Sequence, residues 1–483
     1  MTKIVVAKQD EVYAAVICGS GEAMELNEYF CFYVPGYRFM PAYKNKIWDG
    51  KIRLFHSNNR TLYYGLIPYL EEFCNDRGYT LVKDDSIDDD EEFSVAEANR
   101  FIEGLNLTLE PRDYQIDAFV HAIRKRRTLL LSPTASGKSL IIYLTMRYLN
   151  GKTLIIVPTT SLVRQLYKDF EDYGFDSVNN VHQIMAGAEK DTDKNIIIST
   201  WQSIYKQKKS WFDQFDVVIG DEAHQFKAKS LTSILTNMER CAYRFGFTGT
   251  LDGTQTHKLV LEGLFGKVEK VTTTKKLMDD GNLADFEVKA LILKHTKDNC
   301  KLISKYKYQE ELKYIVESQS RNNFIRNLAL SLDGNTLLLF QFVDKHGKVL
   351  YNDIEENATN RNVFYVSGET KIDTREDIRQ SVENESNSII VASYGTFSTG
   401  INIKNLHNVI FASPSKSKIR TLQSIGRGLR LGNNKTHAVL YDIADDLTHG
   451  KKPNYTLNHF IERMKMYNEE KFKYKIYKIN LKG

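Results

Sequence analysis

The sequence predicts an α/β protein: two tandem parallel-sheet domains behind a small α+β N-terminal domain. Three observations predict it. Between residues 110 and 445, short apolar runs alternate with longer stretches of helical period, the pattern of strand–helix–strand units. That alternation falls into two successive blocks. A run of acids separates the first block from an N-terminal region rich in aromatic and basic residues.

Size and composition bound the reading. At 483 residues the chain is too long for one core, and about three domains are expected. Hydrophobic content of 42% and charged content of 26% are those of a soluble globular chain. Cys18, Cys31, Cys74, Cys241 and Cys300 are scattered with no CxxC pair, which argues against a disulfide framework or zinc site and fits a reducing cytoplasm. No apolar run reaches the roughly 18–20 residues a bilayer needs, so no membrane partner is expected. Asp10 and Glu11 interrupt the apolar N-terminus, against a signal peptide. A net charge of +5 is modest, so its distribution matters more than its size.

Residues 1–90 are read as the small domain with its linker. Positions 29–64 hold eleven aromatics, six Lys/Arg and a single acid, Asp49. KIWDGKIRLF reads as a hairpin turning at Asp49-Gly50, and the aromatics mostly as core. Arg38, Lys44, Lys46, Lys51, Arg53 and Arg60 are the candidate nucleic-acid face, since cations attract phosphate. Residues 84–92, DDSIDDDEE, carry seven acids in nine positions. Such a run repels itself and reads as a linker, or else as a solvated loop.

Residues 91–280 form the first block, with strands expected at 128–132, 153–158, 195–200, 215–220 and 243–250. Residues 281–450 form the second, with strands at 336–342, 362–368, 388–393, 408–413 and 437–443. The basic segment 451–483 reads as a helix packed on the second sheet, or as a nucleic-acid-binding tail.

The chemistry begins at SPTASGKS, between the apolar runs TLLL and IIYLTMRYL. A phosphate cradle needs a strand, a loop of small residues whose N–H groups converge, and a helix N-terminus aimed at the anion. Thr134, Ala135, Ser136 and Gly137 form the loop. Lys138 would reach the β- and γ-phosphates and Ser139 would offer its hydroxyl to Mg²⁺. Ser132 stands where GxxxxGK[ST] has its first glycine. A lone GKS is usually an ordinary turn. Further on, after FDVVIG, comes Asp221-Glu222-Ala223-His224. Acids at the C-terminal end of a parallel strand face the ligand crevice of an α/β sheet. Asp221 would hold Mg²⁺ and Glu222 would orient and deprotonate the attacking water. A lone DE pair is more often a helix start favoured by the dipole. Together the two motifs define a nucleotide site.

These residues resemble superfamily 2 helicases and translocases, over about residues 110–445 and with the motifs in the family's order. PRDYQ (111–115) is similar to the adenine-reading segment, with Gln115 on the base. SPTASGKS resembles motif I, VPTTSLVRQ (157–165) motif Ia, ISTWQS (198–203) motif Ib and DEAH motif II. FTGT (247–250) stands where motif III is expected. LLLFQFVDKHG (337–347), YGTFSTGINI (394–403) and QSIGRGLR (423–430) resemble motifs IV, V and VI. The resemblance implies two RecA-like domains using ATP and Mg²⁺. Gln423, Arg427 and Arg430, on one helix face by spacing, would meet the nucleotide, the two arginines as fingers in catalysis. Gly400 is implied at the nucleotide, and Thr159, Thr248, Thr250, Thr396 and Thr399 at phosphate or relay positions.

More narrowly, TASGKS, DEAH, FTGT and QSIGRGLR behind a short basic-aromatic domain resemble the phage recombination helicases. That implies a 3′-to-5′ DNA motor, monomeric, in the host cytoplasm. Branched, double- and single-stranded DNA would be its partners, with RNA–DNA hybrids besides. Fork regression, Holliday-junction migration and R-loop removal would be its work. The residues themselves leave an RNA helicase open. They leave open, too, a silent nucleic-acid-binding scaffold, against which Lys138, Asp221, Glu222, Arg427 and Arg430 argue.

Overall fold

The computed structural model describes residues 2–87, 90–226, 229–251, 254–400, 403–415, 417, 421, 424–426, 435 and 437–481. The chain divides into two compact units: residues 1–132 with 137–272, and residues 133–136 with 273–483.

The first unit holds a seven-stranded, wholly parallel sheet. Its order is Val181–Ile184, Ile196–Thr200, Thr153–Val157, Val217–Asp221, Tyr243–Thr248, Arg127–Leu131 and Val268–Lys270. Central strands of such a sheet are buried on both faces, which is why they read as unbroken apolar runs. Alternate residues serve opposite faces: Leu129, Leu154 and Val218 join one core, Leu130, Ile155 and Ile219 the other. Helices Asp113–Lys125 and Lys138–Leu149 cover the second face through Phe119, Ile123, Ile141 and Leu144.

The first face is shared with the N-terminal region. There a five-stranded sheet runs Phe55–His56, Thr61–Tyr63, Tyr13–Ile17, Lys3–Lys8, Thr80–Lys83. Ile4 and Val6 of the sheet, with Leu66 and Leu70 of the helical turns beyond it, belong to the same apolar cluster as Leu129 and Leu261. Specific ties reinforce the joint. Tyr69 donates its hydroxyl proton to buried Glu262 (2.6 Å), and Arg127 Nη2 donates to Glu11 (2.7 Å). Gly65 approaches so closely that a Cβ there would lie 2.0 Å from the Glu262 carbonyl oxygen. The described end of the acidic run is fastened rather than loose. Glu91 accepts from Tyr243 (2.7 Å), pairs with Arg126 (2.8 Å) and donates its N–H to the Arg124 carbonyl (2.7 Å).

One expectation for residues 29–64 changes. Lys51–Arg53 pairs antiparallel with Cys31–Tyr33, not with the residues just before the Asp49-Gly50 turn. The intervening chain coils into short helices, Tyr37–Phe39 and Pro41–Lys44, so it cannot supply a strand. The aromatics divide. Phe30, Phe55 and Tyr64 are buried, but Tyr33 and Phe39 are exposed.

The second unit repeats the architecture. Its seven parallel strands run Val363–Val366, Ile389–Ser393, Thr336–Phe340, Asn408–Phe411, His437–Asp446, Asp285–Lys294, Lys473–Asn480. Each sheet therefore has two strands more than its pattern predicts. The basic C-terminal segment is helical only over Tyr455–Glu469. Lys473–Asn480 is an edge strand, since KYKIYKIN is rich in Tyr and Ile and has a partner in Asp285–Lys294.

Candidate active site

Strand register assembles the first-unit site. Asp221 lies opposite Phe247, and Phe247 opposite Leu130. The ends of three strands are thus level, and the Ser132 N–H donates to the Thr248 carbonyl (2.9 Å). Ser132 opens the loop, and helix Lys138–Leu149 follows it. Within the loop Ser136 donates both N–H (3.2 Å) and hydroxyl (2.6 Å) to the Pro133 carbonyl. Ala135 and Gly137 both adopt positive φ, +68° and +78°. Gly137 has a second reason to be glycine: a Cβ would lie 2.3 Å from Gln115 Nε2.

Gln115 is buried against this loop. Its Oε1 accepts from the Arg112 N–H (2.9 Å) and its Nε2 donates to the Gly137 carbonyl (3.4 Å). Lys138 heads the helix and extends to the neighbouring strand end. Its Nζ donates to Glu222 Oε1 at 3.2 Å and stands 4.0 Å from Asp221 Oδ1. Glu222 sits at φ +51°, and its N–H donates to Asp221 Oδ1 (2.8 Å). At that left-handed turn both adjacent acids face Lys138.

The two acids differ electrostatically. Burial pushes Asp221 up to about 6, against the pull of Lys138. Burial works on Glu222 too, but Lys138 and His224 outweigh it and hold its carboxyl well below the usual range. The shorter distance to the ammonium explains why Glu222 is held lower than Asp221.

His224 links this pair to FTGT. Its Nδ1 lies 3.0 Å from Thr248 Oγ1 and 3.3 Å from Glu222 Oε2. The Thr248 hydroxyl donates to the Thr250 carbonyl (2.9 Å), so Nδ1 carries the proton toward it. His257 Nε2 supports the turn at the His224 carbonyl (2.8 Å).

Sequence reasoning missed Tyr173. Its hydroxyl lies 2.8 Å from Ser139 Oγ, and burial pushes it up to about 12, so it holds a proton at neutral pH. No motif marks it; only the packing of helix Thr160–Asp172 beside the cradle helix brings it there. His257 likewise lies outside every motif.

Thr159 caps helix Thr160–Asp172, accepting from the Leu162 N–H (3.4 Å). Thr396 Oγ1 lies 2.8 Å from Ser393 Oγ, at the end of a second-unit strand. Thr399 and Gly400 fall in helix Tyr394–Gly400, their side chains outside the described residues. Gln423, Arg427 and Arg430 lie outside the described residues altogether. Arg38, Lys44, Lys46, Lys51 and Arg53 occur together on the ribbon of residues 31–53. Arg60 is separate from them: half-buried, it donates to the Cys18 carbonyl.

Comparison with known proteins gives the class first. Residues 108–253 match the family described as type III restriction enzyme, res subunit, and residues 319–432 match the helicase conserved C-terminal domain. With the two sheets, these define a superfamily 2 helicase. Residues 3–84 then match the family described as DNA helicase UvsW, N-terminal. The ATP-dependent DNA helicase uvsW of Enterobacteria phage T4 is 38% identical, over 98% of this chain and 98% of its own. The chain belongs to the UvsW family of helicases.

The solved structure of T4 UvsW agrees across 99% of this chain and 100% of its own, at TM-score 0.54 and 36% identity. The DNA 3′-5′ translocase XPB2 of Sulfurisphaera tokodaii is 27% identical over 67% of this chain and 79% of its own. The type ISP restriction-modification enzyme LlaBIII shares the fold, at 16% identity and TM-score 0.58, over 83% of this chain and 33% of its own.

Proposed function

We propose that this protein is an ATP-driven DNA motor that remodels branched DNA. The observation that carries the reading is Lys138 reaching Glu222 and Asp221 across a glycine-tight cradle. In this reading Lys138 and the cradle N–H groups bind the β- and γ-phosphates of ATP, and Gln115 reads the base. Glu222, charged at neutral pH, positions a water and takes its proton as the bond from the γ-phosphorus to the bridging oxygen breaks. Asp221 and Ser139 fit a Mg²⁺ ion by donor chemistry, a buried carboxylate and a hydroxyl. Bound there, Mg²⁺ would neutralise charge on the β- and γ-phosphate oxygens. Arg427 and Arg430 supply the transition-state cations and Gln423 and Gly400 further nucleotide contacts, by their motif positions.

The DNA side of the proposal rests on the relatives and on charge. Those relatives are named as a DNA helicase and a 3′-5′ DNA translocase. Thr159 and Thr396 stand at strand ends, where backbone phosphate would pass. Residues 1–90 act as the duplex-gripping part, through Arg38, Lys44, Lys46, Lys51 and Arg53, with Arg60 in a supporting role. Fork regression, Holliday-junction migration and R-loop removal, by a monomer in the host cytoplasm, follow as the expected tasks.

The test is strand displacement on matched fork, Holliday-junction and RNA–DNA substrates, with and without ATP. ATP-dependent resolution of the branched DNAs, faster than of a plain tailed duplex, is expected. Equal rates on all substrates would reject the branched-DNA assignment.

A further inference from the structure

The ribbon of residues 31–53 contains a feature the motor does not use. It is a small, ordered structure. Tyr33 and Tyr37 stack at 4.6 Å, Tyr43 meets Tyr37 edge-on at 4.8 Å, and Trp48 Nε1 donates to the Lys51 carbonyl (2.8 Å). Backbone bonds from Lys46 to Tyr43 and from Ile47 to Ala42 close the end of the ribbon. Gly50, at φ +82°, admits the Tyr37 ring where a Cβ would stand 2.3 Å from it.

This rigid support presents apolar side chains to solvent. Phe39 is 80% exposed and Ile47 80% exposed, in a protein that buries most of its other large apolar residues. Cations lie beside them. Arg38, Lys44 and Lys46 line one concavity with Ile47 and Asp49, and Arg38 precedes Phe39 in the chain. The one acid of the ribbon, Asp49, is occupied by Arg53 and the Lys51 N–H. Among the described residues no carboxylate pairs with Arg38, Lys44 or Lys46.

Exposed apolar side chains beside cations that no described carboxylate pairs with match one occupant. A nucleic acid whose base faces are uncovered offers flat apolar surface and phosphate together. A protein partner would instead need carboxylates beside its apolar surface.

We propose that this ribbon end is a wedge for a DNA branch point. Phe39 and Ile47 pack on the base faces uncovered where the duplex opens, and Arg38, Lys44 and Lys46 hold the flanking phosphates. The inference deepens the DNA-motor reading and rests on it. It separates two jobs that the basic residues alone do not: cations grip any duplex, whereas the apolar tip acts only where stacking is broken.

A fork carrying 2-aminopurine at its branch point tests this, with full-length wild type, Phe39→Ala/Ile47→Ala and Lys44→Ala/Lys46→Ala. Thermal melting checks folding, and ATP turnover on a long single strand checks the motor. The apolar variant is expected to lose the 2-aminopurine signal and to unwind forks about tenfold more slowly, the share of one stacked base. Its turnover on single strands and its affinity for blunt duplex should stay at wild-type level. The lysine variant should lose affinity for blunt duplex and forks alike. Unchanged signal and fork unwinding in the apolar variant, with normal turnover, would overturn the wedge and leave the motor standing. Absence of ATP turnover in the wild type would instead overturn the reading beneath it. A self-association seen by sedimentation and abolished by Phe39→Ala/Ile47→Ala, with the fluorescence unaffected, would assign the tip to a second copy and overturn the proposal.

Discussion

The imidazole of His224 and the hydroxyl of Thr248 lie 3.0 Å apart, buried, on neighbouring strand ends. Through this bond the FTGT segment sets the tautomer of the residue flanking Glu222. Thr248→Val keeps the shape and removes the acceptor. It is expected to destabilise the protein by about 1–3 kcal/mol, the cost of an unsatisfied buried group. ATP turnover should fall further than nucleotide affinity. Thermal melting with kcat and KM for ATP measures both.

Lys138→Ala should abolish ATP turnover while DNA binding persists, because it removes the cation facing both carboxylates and no part of the basic ribbon. Glu222→Gln should bind ATP and fail to cleave it, seen as uncleaved radiolabelled ATP retained after filtration. Arg427→Ala should lower turnover by about 10³ if it acts as a finger. Turnover near wild type would remove that role.

Gly137→Ala tests the cradle's steric demand. The new Cβ meets Gln115 Nε2 at 2.3 Å and sits at φ +78°, a conformation costing about 1–2 kcal/mol for an L-residue. Reduced stability and weaker ATP binding are expected. Adding Gln115→Ala should relieve the contact but not the backbone cost, so recovery in a melting experiment should be partial.

Arg463 anchors the C-terminal helix to the second sheet. It donates to both oxygens of Asp442 (2.9 and 2.7 Å) and to the Ser415 carbonyl (2.6 Å), and Tyr467 donates to the same carboxylate (2.8 Å). Arg463→Met leaves a buried carboxylate without its cation and should cost about 3–5 kcal/mol in denaturant unfolding. Arg463→Met/Asp442→Leu should recover much of that loss.

Acid should weaken the second unit through His346. Its Nδ1 accepts from the Ser413 hydroxyl (2.8 Å) and its Nε2 donates to Asn322 Oδ1 (3.2 Å). Burial, helped by Arg321 and opposed by Asp445, holds the imidazole down at about 3, against 6.5 when unfolded. Between those values the unfolded chain binds a proton that the folded chain refuses. Stability is therefore lost as pH falls below about 6.5, at up to ~1.4 kcal/mol per pH unit from this group. Urea midpoints at pH 7.0 and 5.5 should differ less in His346→Gln than in wild type.

Much of this molecule is legible in its residues. Runs such as TLIIV and IIVAS announce central strands because both faces of a parallel sheet are buried. SPTASGKS and DEAH announce the candidate nucleotide site because a phosphate loop needs small residues, a lysine and strand-end acids in chain order. Other elements carry no such mark. VHQI and VEK are too short and polar to declare themselves, and they become strands because a sheet edge accepts them. KYKIYKIN breaks its alternation at Ile476-Tyr477, and its pairing with Asp285–Lys294 joins residues far apart in the chain.

The sequence by itself determined the class of fold, the cradle and its acids, since these depend on local patterns and on residue types with few substitutes. Only the tertiary structure decided that Tyr173 meets Ser139, that His224 meets Thr248, and that the N-terminal sheet shares a core with the first motor sheet. It also decided that Phe39 faces water while Phe30 and Phe55 do not. The reason is physical: burial and hydrogen bonding depend on which distant segment arrives opposite a side chain, and composition and spacing do not contain that.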